Sequence, residues 1–207
     1  MAGRFIDLGA IDIAGGAIDL DVARGLLDLD DIRPGTRPGK PVMLKPAQAQ
    51  SILNEVVRLV ADLPRKSTPD VVWTLGADEL LVQTDETTIA TTSGIVTITV
   101  LVRCDEVDDE VEIPVPIGVG TKDAPAGLVM SAFDQLQGPT VITDVWTDAI
   151  TAFAWECLVE VCRTVAANVG VDGRGRPLIP GLVSAGPKGL SVEAMARHDV
   201  RGRGSRR

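Results

Sequence analysis

Residues 95–104 read Ile-Val-Thr-Ile-Thr-Val-Leu-Val-Arg-Cys, and this stretch decides the fold. Ile95, Thr97, Thr99, Leu101 and Arg103 alternate with Val96, Ile98, Val100 and Val102. Successive side chains of an extended chain point to opposite faces, so one face carries an unbroken apolar row and the other a mixed one. A helix would scatter both rows around its circumference. The β-branched content also suits a half-buried strand.

The same content continues on both sides. Val71 to Leu75, Leu80 to Thr84 and Thr87 to Thr91 precede the stretch, and Val111 to Ile117 follows it. Gly76-Ala77-Asp78, Asp85-Glu86, Ser93-Gly94 and Asp105 to Glu110 separate the pieces. Links this short join antiparallel neighbours, which predicts a meander. Upstream, Pro46 suits a first helical turn, and Ala49, Ile52, Leu53, Val56, Leu59, Val60 and Leu63 recur at helical spacing until Pro64. Downstream, Gly118 to Gly127 reads as a loop, Leu128 to Gln137 as a short helix stopped by Gly138-Pro139, and Thr140 to Thr143 as an edge strand. Asp144 then suits the N-cap of a main helix, with Asp148 near its positive end and Gly170 at its C-cap. Trp146, Ala149, Ile150, Phe153, Cys157, Val161 and Val165 form one stripe of that helix. Ala154, Trp155, Leu158, Val159, Cys162 and Ala166 nearly close the circle, so the helix must be covered on more than one side, its second face meeting the first helix or another subunit, with Trp155 as the contact residue.

The expected fold is therefore α+β. An antiparallel β-meander of four to five strands packs against an N-terminal helix and a long, largely buried C-terminal helix, with extended arms at both ends. The expected divisions are an acidic N-terminal arm over 1–32, a Pro/Gly linker over 33–45, an α+β body over 46–170 and a basic Gly/Pro/Arg-rich arm over 171–207. The linker is read from Arg33-Pro34-Gly35-Thr36-Arg37-Pro38-Gly39-Lys40-Pro41, which lacks the apolar density of a core element.

The N-terminal arm repeats one phrase four times: Ile6-Asp7-Leu8, Ile11-Asp12-Ile13, Ile18-Asp19-Leu20 and Leu27-Asp28-Leu29. Gly9, Gly15, Gly16 and Gly25 interrupt it too often for a useful helix. Each piece is apolar on one face and acidic on the other, so it needs a second surface, a sheet edge or groove, to cover its apolar face. Charge divides in the same way. Residues 1–32 hold seven Asp against Arg4 and Arg24, net −5, and residues 171–207 carry net +5, in a chain of net −9. The two ends attract each other, within a chain or between neighbours.

Several function classes are disfavoured. Aromatic residues are 3% of the chain with no tyrosine, which argues against base-stacking and aromatic recognition surfaces. No run of 18 apolar residues exists, so no membrane helix is expected, and Met1 to Arg4 followed by an acidic stretch does not read as a signal peptide. Cys104, Cys157 and Cys162 are an odd number in apolar settings, which suits reduced thiols. Cys157 and Cys162 stand about 140° apart on a helix and do not converge on a metal. Asp105-Glu106-Val107-Asp108-Asp109-Glu110 matches no calcium loop, and Gly118-Val119-Gly120-Thr121-Lys122 lacks the Gly-Lys-Ser/Thr order of a phosphate loop. The single histidine, His198, lies in the basic tail, away from any rigid catalytic setting. No enzymatic activity, cofactor or metal is expected.

What remains is assembly. The expected function is a structural subunit of a large symmetric particle, a bacteriophage virion component such as a capsid-associated, connector or tail-baseplate protein. Its partners are other copies of itself and neighbouring structural proteins. It is cytoplasmic at synthesis and then part of the particle. The residues assigned to contacts are Ile6, Leu8, Ile11, Ile13, Ile18, Leu20, Leu27 and Leu29 of the arm, Trp155 of the helix, and Arg201 and Arg203 of the tail. Arg174-Gly175-Arg176 and the run from Arg201 to Arg207 are the features suited to phosphates, though an acidic body would repel a duplex. The alternative is a cytosolic adaptor or assembly chaperone that binds another protein's strand.

Overall fold

A computed structural model describes residues 41–61, 63, 69–120, 130–131 and 136–196. The class is α+β, with two antiparallel sheets and two helices. In chain order the elements are β1 (Pro41–Leu44), α1 (Pro46–Val60), β2 (Asp70–Leu75), β3 (Asp78–Thr92), β4 (Ile95–Arg103), β5 (Val111–Gly118), β6 (Met130–Ser131), α2 (Thr140–Val169), β7 (Ile179–Gly186) and β8 (Gly189–Met195). Consecutive strands β2-β3-β4-β5-β6 form the meander, and β1-β8-β7 form a second, three-stranded sheet.

The meander follows the alternation of β4. Val96, Ile98, Val100 and Val102 are fully buried, and Ile113, Val115 and Ile117 of β5 join them through the register Val96↔Ile117, Ile98↔Val115 and Val100↔Ile113. At the β2 edge, Trp73 lies 5.6 Å from Phe153, edge to face, and 6.5 Å from Trp146. Such pairs add about 0.5–1.5 kcal/mol beyond the area they bury. These rings fasten the sheet to α2.

Helix α2 lies between the two sheets. It packs on β4 and β5 on one side and on β7, β8 and α1 on the other. Ile142, Trp146, Ile150, Phe153, Ala154, Cys157, Leu158, Val161, Cys162 and Val165 are all buried, so the helix has an apolar circumference rather than a stripe. The chain itself covers both faces.

The structure differs from the sequence reading in several places. Leu80 to Thr84 and Thr87 to Thr91 belong to one strand, β3, whose register against β4 shifts between Gln83 and Thr88. Asp85-Glu86 sits in that irregularity and makes no turn. Thr84 is buried there, and its backbone N–H and hydroxyl both donate to Pro69 O, at 3.2 and 2.6 Å. Thr140 to Thr143 forms the first turn of α2, opened by Ile142 N–H and Thr143 N–H donating to Pro139 O, so the N-cap position is Pro139 and not Asp144. Burial of Ile142 against the core outweighs the strand preference of that β-branched run. Met130–Ser131 pairs with β5 as a strand where a short helix was expected.

The largest differences concern the ends of the body. Pro41–Leu44, assigned to the linker, is a strand, and residues 179–195, assigned to the basic arm, form the β7–β8 hairpin. Val183, Ala185, Leu190, Val192 and Ala194 alternate inward and are buried. Leu44 joins them opposite Leu190. The residues of the arms proper, 1–40 and 197–207, lie outside the described residues.

A backbone latch ties the two sheets at one corner. Gly94, in the β3–β4 turn at φ 76°, donates to Ala185 O at 3.0 Å and accepts from Val119 N–H at 2.9 Å. Ala185 N–H in turn donates to Gly120 O at 3.1 Å. Val119 and Gly120 thus form a structural clasp.

Candidate interaction surfaces

The residues assigned to contacts from sequence divide sharply. Trp155 is 3% exposed and belongs to the chain's own core, so it cannot serve as a docking face. Helix α2 is covered on more than one side, and the first helix, α1, supplies part of that cover together with the three-stranded sheet. Ile6, Leu8, Ile11, Ile13, Ile18, Leu20, Leu27, Leu29, Arg201 and Arg203 lie outside the described residues, as does His198.

Arg174-Gly175-Arg176, read as free basic chain, is folded back on Asp172. The Asp172 carboxylate accepts from Arg174 N–H at 2.8 Å, Arg176 N–H at 3.0 Å and Arg176 Nε at 2.8 Å. These donors, Arg176 N–H foremost, hold the Asp172 carboxyl below the usual carboxylate range. The pair closes the link between α2 and β7. The three cysteines are buried and unpaired. Burial pushes the Cys162 thiol up to about 12 and the Cys157 thiol well above its ordinary value, so neither is a thiolate nucleophile at neutral pH. Cys104 is also raised, chiefly by burial and then by its hydrogen bond with Glu106. Among the described residues, no three His, Cys, Asp or Glu side chains gather as a metal site, and no helix is long and apolar enough to cross a membrane.

Four buried polar atoms among the described residues lack a hydrogen-bond partner: Thr87 Oγ1, Thr91 Oγ1, Thr151 Oγ1 and Trp155 Nε1. Each costs roughly 1–3 kcal/mol of desolvation. They lie on two different elements of the core, β3 and α2.

Unpaired sheet edges are the surfaces suited to an extended segment. The β3 edge beyond the end of β2 is capped by α1: Gln50 Oε1 accepts from Ile89 N–H at 2.9 Å, and Gln50 Nε2 donates to Thr87 O at 3.0 Å. One side-chain amide thus occupies the place of a neighbouring strand. Strand β2 is one of the two outer strands of the meander, with Val72 and Leu75 exposed; it carries Asp70 and lies beside Asp78 and Glu79 of β3. Strand β1 is an outer strand of the other sheet, with β7 on the opposite side of β8. Met43 on its outer face is 54% exposed. One end of this edge carries Lys45 and, in the β7–β8 turn beside it, Lys188, both exposed.

The register fixes where the two arms attach. Pro41 of β1 is opposite Glu193 of β8, and β8 ends two residues later at Met195. Residues 1–40 and 197–207 therefore join the body at the same end of adjacent strands. Sequence reasoning placed opposite charge on both arms and missed this shared corner. Its signal was the alternation of Leu190, Val192 and Ala194, which the surrounding Gly, Pro and Arg obscured. Comparison of the chain with protein-family models, curated proteins and solved structures returns no match, so these surfaces stand on their own geometry.

Proposed function

We propose that this chain is a structural subunit of a large symmetric assembly, of the kind that builds a bacteriophage particle, in which the termini lace neighbouring copies together. The observation that carries the reading is the fourfold apolar-acid-apolar phrase of residues 6–29, leading into an outer strand. Such a segment gains little by folding alone, because its apolar face is too small to offset ordering entropy. Fixed neighbours supply the missing surface. The body suits a scaffold block: α2 is enclosed between two sheets, and a backbone latch joins them. The oppositely charged arms leave from one corner, where the acidic arm of one copy meets the basic tail of the next. Complementary charge there speeds encounter and sets orientation.

Deleting residues 1–32 tests this. The truncated chain is expected to remain folded by circular dichroism and to lose self-association by light scattering. A truncated chain that still assembles as the full chain does would rule out lacing. Because exposed charges are screened at high ionic strength, association of the full chain should also weaken as salt is raised well beyond 0.15 M. A full chain that is monomeric, or found bound one to one with a different protein, would favour the adaptor reading.

A further inference from the structure

Resting on the assembly reading, we propose that the acceptor for the N-terminal arm is the free edge of β1 on a second copy, where one Ile-Asp-Leu phrase adds as a fourth strand beside Pro41–Leu44. Three observations select this edge. First, β1 is an outer strand, and among the described residues nothing pairs with its far side. An unpaired edge is a ready template for an extended segment of alternating character. The added strand would lay its isoleucine and leucine beside Val42 and Leu44, extending the buried row of Leu44, Leu190, Val192, Val183 and Ala185. Its aspartate would fall on the opposite face, beside exposed Met43.

Second, charge distinguishes β1 from β2, an outer strand of the meander. Residues 1–32 are acidic, and β1 has Lys45 and Lys188 at one end and Glu193 of β8 at the other, whereas β2 carries Asp70 and lies beside Asp78 and Glu79 of β3, with no basic residue on either strand. An acidic segment is drawn to the first and repelled by the second. Third, the connecting chain is long enough to reach a neighbour. Residues 33–40 carry Pro34, Pro38 and Arg33, Arg37 and Lys40. A proline-containing segment of that length, at about 3.1 Å per residue when extended, has a reach of roughly 25 Å, enough to bring the arm to a neighbouring copy. The four phrases then offer one edge several chances of capture, raising the effective concentration of the arm.

Disulfide trapping tests the pairing on the full chain, whose native thiols are buried. Met43→Cys in one tagged population and Asp12→Cys or Asp19→Cys in another are mixed and oxidised mildly. Covalent dimers bearing both tags are expected. In parallel, Lys45→Glu with Lys188→Glu should weaken self-association by more than about tenfold, and Asp12→Lys with Asp19→Lys in the arm should restore it. A chain carrying both cysteines that closes only on itself at every dilution would place the arm on its own edge and overturn the proposal. Self-association that persists with no trapping at Met43, and no response to charge reversal, would also overturn it while leaving the assembly reading in place. A full chain that never self-associates ends both.

Discussion

The two sheets of this protein close in opposite ways. The meander joins strands that are neighbours in sequence through tight links such as Gly76-Ala77 and Ser93-Gly94. The three-stranded sheet places Leu44 opposite Leu190, across nearly the whole body of the chain. Loop-closure entropy must be overcome before the second pairing can form, and only a few apolar side chains reward it. Both sheets nonetheless share one apolar core with α2, to which Leu44 of β1 and Val183, Leu190 and Val192 of the hairpin belong.

The largest effect should come from the meander side. Trp73→Ala removes a fully buried ring from Phe153 and Trp146, and should cost about 3–5 kcal/mol in denaturant unfolding, with both sheets lost together. A loss under 1 kcal/mol would mean that α2 is held mainly by the other sheet. The sharper contrast is Gly189→Ala. Gly189 has φ +127°, and a Cβ there would stand 1.8 Å from Leu44 O, against backbone that cannot yield cheaply. The expected cost is about 2–3 kcal/mol, but confined to β1 and the hairpin. Amide exchange should quicken at Val42 to Leu44 and Leu190 to Ala194 while the β4 amides stay protected. Uniform loss of protection would show that the sheets unfold as one unit.

These expectations bear on what the sequence could reveal. The β4 stretch announced its sheet because strict alternation over nine residues has one physical reading, and α1 announced itself by apolar spacing between Pro46 and Pro64. The second sheet was hidden because neither partner is convincing alone. Pro41–Leu44 is four residues beside a proline-rich run, and β7–β8 is set among glycines and arginines that raise the local polarity. Pairing across so much chain leaves no local signature. The two-sided burial of α2 was legible, and so was the need for a second covering surface. The sequence leaves open whether that surface is the chain's own or a neighbour's, and the burial of Trp155 in the chain's own core decides it. The β3 irregularity was misread for a related reason, since Gln50 on a distant helix satisfies the backbone that a turn would otherwise account for.

That helix-to-edge clamp gives a smaller prediction. Gln50→Ala leaves Ile89 N–H and Thr87 O without their partner and should cost about 1–2 kcal/mol, with faster exchange at Ile89. If stability is unchanged, water replaces the amide and the edge is open. Thr151→Val should move in the other direction. It replaces an unpartnered, fully buried hydroxyl in α2 by a methyl group of similar shape, with an expected gain of about 1 kcal/mol. Destabilisation would indicate that the hydroxyl has a partner in solution.

The smallest effects are electrostatic and distinguish the two approaches to the hairpin. Asp172, in the link before β7, has its carboxyl lowered by Arg176 and Arg174 donors, so its contribution is fully present above the ordinary carboxylate range and is lost as pH falls below about 4. Glu193, on β8, is raised by burial, which disfavours its charged form, so it opposes folding at neutral pH and that opposition is relieved as pH falls through its raised value. Acidification should therefore ease β8 before it loosens the Asp172 loop. Glu193→Gln should abolish the first phase and Asp172→Asn the second, each changing stability by no more than a small fraction of the Trp73 effect. The Arg174 and Arg176 amides, both bonded to Asp172 Oδ1, report the second titration directly by NMR. If those amides instead titrate at the ordinary carboxylate value, the link is not pinned, and the hairpin depends on its own apolar row for its place against α2.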